Sequence, residues 1–177
     1  MIYFFTPWSF EKDLGDAYNH YCSLIPNPDD WICVTDHDTL FLLPTTIPRI
    51  KKYIELYPNT GIFTCYTNRV GSKKQCYGHE LSENPNILYH RDIAKKLEDT
   101  QEFNIAHIAG TISGFLMVFK KSTWEYLRFR NGILKVDTDF SIKALRHNFT
   151  ISLMKSVYVF HYYRLSEGRN HLQHLLN

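Results

Sequence analysis

The chain has 177 residues, of which 44% are apolar and 15% aromatic, enough for one domain with a sizeable core. Its net charge of +2 at pH 7 gives no electrostatic footprint for nucleic acid or an acidic membrane surface. No apolar run approaches the roughly 20 residues of a membrane span. The apolar start, Met1 to Phe5, is too short for a signal peptide and lacks a basic flank. Cys22, Cys33, Cys65 and Cys76 form no CxxC pair, so free thiols in a reducing cytoplasm are expected, not a structural zinc site.

Ile2 to Phe5 predicts a first buried strand, stopped at Thr6-Pro7. Leu14, Ala17, Tyr18, Tyr21, Cys22 and Leu24 recur at helical spacing, with Ser9 or Asp13 as the cap and Pro26-Asn27-Pro28 as the stop. Trp31 to Val34 is the next strand. Strand, helix, strand at this spacing predicts a parallel, right-handed crossover. Ile47, Ile50, Tyr53 or Ile54, and Tyr57 predict a second helix, and Gly61 to Tyr66 a third strand.

Residues 71–105 are polar and poorly periodic, with one helix expected near Arg91 to Gln101. Such an excursion inside a compact domain is commonly functional, and here it is the expected docking region for a second substrate. Beyond Gly110 come a strand from Phe115 to Phe119, a helix from Thr123 to Arg128, a helix starting near Phe140 and ending near His147, and a last strand from Val157 to Phe160. The tail, Leu165 to Asn177, predicts a loose helix in which His171 and His174 are solvated.

Polar clusters stand at the ends of these apolar elements: Thr6-Pro7, Asp36-His37-Asp38, Asp137-Thr138-Asp139, and His161 with Arg164. Two carboxylates at the end of a buried strand call for a cation or a proton. A divalent metal carrying a diphosphate supplies that partner, and the bland alternative is an Asp-rich turn. In an open α/β sheet such ends can converge on one crevice. Asp38 with His161 then forms a carboxylate–imidazole pair that suits Mn²⁺ better than Mg²⁺. Strand alternation turns His37 away from the site. Asp137 or Asp139 is left as a general base, Gly114 permits close backbone approach, and Arg69 and Arg164 are candidate diphosphate forks or ordinary ion pairs.

The order of these stretches resembles glycosyltransferases of the GT-A fold, family-two-like group. The stretches are FTPWSFEKDLGDAYN, DDWICVTDHDTLFL, TNRVG, GTISGFLMVFKKSTWEYL, LKVDTDFSIKALRHNFTI and VYVFHYYR. The resemblance implies a single α/β domain over residues 1–177, Rossmann-like, with a central, mostly parallel mixed sheet flanked by helices. It implies that Asp36-His37-Asp38 is the DxD motif, with Asp38 on the metal and Asp36 on the sugar nucleotide, and that His161 is the late metal ligand. Asp137 would be the base, Gly114 would line the sugar pocket, and Thr6, Pro7 and Asn19 would face the nucleotide. Val136 stands where the family commonly has Glu, and the amino-terminal half is short, without a placeable Asp to read uracil.

The function so implied is metal-dependent transfer of a sugar from a nucleotide-sugar donor, a UDP-sugar first, to an acceptor hydroxyl. The acceptor could be a glycan, a lipid-linked sugar, a protein or a modified DNA base. Two other classes remain open at this level: a nucleotide-sugar-binding module without turnover, and a metal-dependent phosphoesterase, which would need a second metal site.

Overall fold

A computed structural model describes residues 1–11 and 13–163. The strands are β1 (Ile2–Phe5), β2 (Trp31–Thr35), β3 (Thr39–Phe41), β4 (Ile62–Thr67), β5 (Ile105–His107), β6 (Leu116–Lys120) and β7 (Ile151–His161). The helices are α1 (Leu14–Ser23), α2 (Thr46–Leu56), α3 (Ile87–Gln101), α4 (Lys121–Leu127) and α5 (Val136–Arg146). All seven strands join one mixed sheet in the order β1-β2-β6-β4-β7-β3, and β5 pairs β7 off that path.

The expected βαβ opening is present: β1 and β2 are parallel, joined through α1, which Asp13 caps by accepting from the Asp16 N–H. β4 and β7 form the other parallel pair, and the ladders to β6, β3 and β5 are antiparallel. β1, β2, β4 and β7 therefore run one way. Their carboxyl ends lie on the same side of the sheet as the amino-terminal starts of β6 and β3.

The central strands are buried on both faces because side chains alternate and both alternates are apolar. Ile32 and Val34 of β2 pack with Tyr18, Trp124 and Phe140 beneath α1, α4 and α5. Trp31 and Cys33 pack on the other face with Ile50 and Tyr53 of α2. All four cysteines are buried and free, and among the described residues no helix is long and apolar enough to cross a membrane.

Beyond the unexpected short strand β3, three departures from the expected elements bear on the site. β7 begins at Ile151, not Val157, because Lys155 and Ser156 interrupt the apolar pattern but not the strand. The register against β4 shifts there, from Cys65 opposite Met154 to Tyr66 opposite Tyr158. α5 begins at Val136, so Asp137 and Asp139 lie in its first turn. The 71–105 stretch is also more ordered than its composition suggests: two 3₁₀ turns, Lys73–Gln75 and Tyr77–His79, dock on the sheet, and α3 packs against β7.

Candidate active site

The chain leaves β2 at Thr35, crosses the end of the sheet through Asp36-His37-Asp38, and enters β3 on the far side of β7. The crossing is held where β6 starts: the Phe115 carbonyl accepts from the Asp36 N–H at 3.0 Å and from Thr39 Oγ1 at 3.3 Å. Thr39 pairs with His161 at the end of β7. This crossover carries the Asp pair, far earlier in sequence, to the last residue of β7.

His161 is 3% exposed. Its Nε2 lies 3.1 Å from Asp38 Oδ1 and 3.6 Å from Asp36 Oδ2, without a well-directed hydrogen bond to either. Its Nδ1 lies 3.0 Å from the Arg69 carbonyl oxygen. A carbonyl only accepts, so Nδ1 carries the proton, and a neutral ring then turns the Nε2 lone pair toward two carboxylates. Three such groups facing one another call for a metal ion between them or a proton on Nε2. Asp36, Asp38 and His161 each offer one atom within 4.8 Å of the others, and among the described residues no other such group occurs. Two carboxylate oxygens and one imidazole nitrogen fit a divalent ion of the Mn²⁺ type. An imidazole whose second nitrogen is anchored on a carbonyl is the usual arrangement of a ligating histidine.

Burial raises the Asp36 carboxyl above its usual range, with Asp38 and Asp137 adding to the rise and His161 and His37 opposing it. At Asp38 burial also pushes upward, but the nearby imidazoles of His161 and His37 outweigh it and the pKa falls. His37 is exposed in the turn between β2 and β3, where strand alternation does not apply.

Asp36 and His161 line a cavity of about 700 Å³, a size suited to a small ligand. Asp137 and Thr138 line it too. Asp137 Oδ2 accepts from the Gly114 N–H at 2.8 Å and Oδ1 from the Thr138 N–H at 2.7 Å, which fixes the carboxylate. A Cβ on Gly114 would meet Asp137 Cβ at 2.9 Å, so glycine here serves close approach. Asp139 is outside the cavity lining and pairs with Lys143 at 2.8 Å along the helix. Of the two sequence candidates for a base, only Asp137 faces the cavity.

Other expected residues fare differently. Thr6 is exposed, its Oγ1 3.3 Å from Thr35 Oγ1, and Pro7 is half-buried; neither lines the cavity. Asn19 requires correction. Its amide donates to the Phe129 carbonyl and Asn131 Oδ1 and accepts from Trp124 Nε1 and the Phe129 N–H. Those four bonds use the whole capacity of a carboxamide, so Asn19 ties α1 to the segment after α4 and is not free for a nucleotide. The Arg69 side chain is buried outside the cavity lining, and what it brings to His161 is its carbonyl. Arg164, His171 and His174 lie outside the described residues.

Two buried amides escaped the sequence reading. Asn68 bonds both the N–H and the C=O of His161. Gln75, inside the polar excursion, accepts from the Ser113 N–H at 2.7 Å and donates to the Ser113 carbonyl at 3.0 Å, just before Gly114. Asn68 at least follows a strand directly; Gln75 has no periodicity or motif to mark it. No protein-family model matches the chain, and no curated protein is significantly similar to it.

Proposed function

We propose that the protein is a metal-dependent glycosyltransferase that moves a sugar from a nucleotide-sugar donor, a UDP-sugar in the first instance, to an acceptor hydroxyl. The observation that carries this reading is the shared lining of one cavity. Asp36, His161 anchored through Nδ1, and the fixed carboxylate of Asp137 all line it, and Asp38, outside the lining, lies 3.1 Å from His161 Nε2. Asp36, Asp38 and His161 would hold the metal, which when bound neutralises the charge of a departing diphosphate. Asp137 receives the proton of the acceptor hydroxyl as that oxygen attacks the anomeric carbon, the role of a general base in an inverting transfer. Gly114 and Thr138 keep that carboxylate pointed into the cavity by their N–H groups. The four reduced, buried thiols suit a cytoplasmic setting.

Isothermal titration against a panel of nucleoside diphosphates, UDP first, with and without Mn²⁺, tests the reading on wild type and Asp38→Ala. The expected result is metal-dependent binding of one nucleotide, abolished in the variant. A folded wild-type protein that binds no nucleotide overturns it. Cleavage of a phosphate ester in place of transfer would assign the same cluster to a phosphoesterase.

A further inference from the structure

β4 and β7 pair in parallel as far as Thr67 opposite Val159, and there β4 leaves the sheet. Two residues later on β7 stands His161, whose main chain would lose its partner on that side. The Asn68 side chain takes the place of the missing strand. Its Oδ1 accepts from the His161 N–H at 2.7 Å and its Nδ2 donates to the His161 carbonyl at 3.0 Å. Thr67 Oγ1 donates to the same Oδ1 at 3.1 Å, which orients the amide. On the opposite side of β7 the Asp38 carbonyl accepts from the Tyr162 N–H at 2.9 Å. The next residue, Arg69, supplies the carbonyl that receives the His161 Nδ1 proton. Asn68 is 1% exposed, so these bonds meet no competition from water.

We infer that Asn68 is the positioning residue of the metal centre: its carboxamide holds the His161 main chain where the ring both reaches the Arg69 carbonyl and directs Nε2 at Asp36 and Asp38. The ring's own partner is a main-chain carbonyl, which no side-chain substitution removes. Asn68 is therefore the side chain through which the ligand geometry can be altered without touching a ligand. The inference rests on the metal reading above and adds to it where the specificity of that geometry resides. Outer partners of ligating histidines commonly govern roughly 10- to 100-fold in metal affinity.

The test is direct Mn²⁺ binding, by titration and by the nitrogen modulation of the bound ion's electron spin echo, neither of which needs turnover. The proteins are wild type, Asn68→Ala, Asn68→Asp and a control, Tyr53→Phe. Asn68→Asp keeps the acceptor for the His161 N–H and loses the donor to its carbonyl. Tyr53→Phe removes buried hydrogen bonds to Asn104 and Ser156, away from the cavity, and so reports loss of stability alone. The expected result is one Mn²⁺ with an imidazole nitrogen signature in wild type and Tyr53→Phe. Asn68→Ala should bind roughly 10- to 100-fold more weakly with the signature diminished, and Asn68→Asp should fall between. Equal affinity and equal nitrogen modulation in wild type and both Asn68 variants overturn the inference alone. Absence of Mn²⁺ binding by wild type overturns the metal reading and the inference with it. If Asn68→Ala does not fold, Asn68→Asp decides the matter by the same two readouts.

Discussion

Asp137 is the residue at which the proposed chemistry and the observed geometry meet most closely. Its two oxygens take N–H groups from Gly114 and Thr138, so its orientation is set by main chain of its own helix and of the turn before β6. Substitution by Asn keeps size and can keep one of those bonds, yet removes the proton acceptor. Asp137→Asn is expected to lower transfer by roughly 10²- to 10⁴-fold, the usual weight of a general base, with Mn²⁺ and nucleotide affinity unchanged. Initial rates with saturating donor, read beside a binding titration, check this. A parallel loss of nucleotide binding would mean that Asp137 serves the donor and not the acceptor.

At the scale of elements, α3 is tied to β7 by a buried histidine with no part in the site. His90 is fully buried; its Nε2 donates to the Asn84 carbonyl at 2.7 Å and its Nδ1 accepts from the Tyr158 hydroxyl at 2.7 Å. Both ring nitrogens are satisfied in the neutral form, and burial lowers the pKa below its ordinary 6.5, with the Asn84 carbonyl opposing. Below pH 6.5 the unfolded chain therefore takes up a proton that the folded chain refuses. Stability is full above about pH 6.5 and falls as pH drops from there toward the folded pKa, by at most about 1.4 kcal/mol per pH unit from this group. Urea unfolding between pH 7.5 and 5.5 should show a steeper loss for wild type than for His90→Gln, the difference in slope removing the contribution of the other histidines. Identical slopes would mean that His90 titrates alike in the folded and unfolded chain.

The same scale shows what could be read from the sequence. β1, β2 and β4 were legible as short unbroken apolar runs and α1 and α2 by helical spacing, with Pro or Gly near their ends. β3 was not: three residues directly after the Asp pair carry too little pattern, although that short strand is what brings Asp38 to His161. The 71–105 stretch looked unstructured because its order comes from single side-chain bonds to main chain, such as Gln75 to Ser113, which leave no period. Within the site, Asp36, Asp38, Asp137 and His161 were visible as polar residues ending apolar runs. The choice of Asp137 over Asp139 needed the helix start at Val136, and the commitment of Asn19 to Trp124, Phe129 and Asn131 needed contacts more than 100 residues apart.

For the whole molecule, the decisive feature is that the proposed metal-ligand set exists only in the folded sheet. Asp36 and Asp38 come from the crossover after β2, His161 from the end of β7, and β6 and β4 stand between those two strands. An unfolded chain holds no such site, so a cation bound there adds its binding free energy to the stability of the fold. At a free Mn²⁺ concentration about 100 times Kd the gain is roughly 2.7 kcal/mol. For a chain of this length that corresponds to a rise of roughly 5 to 10 °C in Tm. Thermal melts across an Mn²⁺ series should show this rise in wild type, saturating with the site, and a flat response in Asp38→Asn. The comparison is internal, since nonspecific ions would move both proteins alike. A wild-type Tm indifferent to Mn²⁺, or an equal rise in Asp38→Asn, would separate the carboxylate–imidazole cluster from metal binding and leave its mutual repulsion to be relieved by a proton.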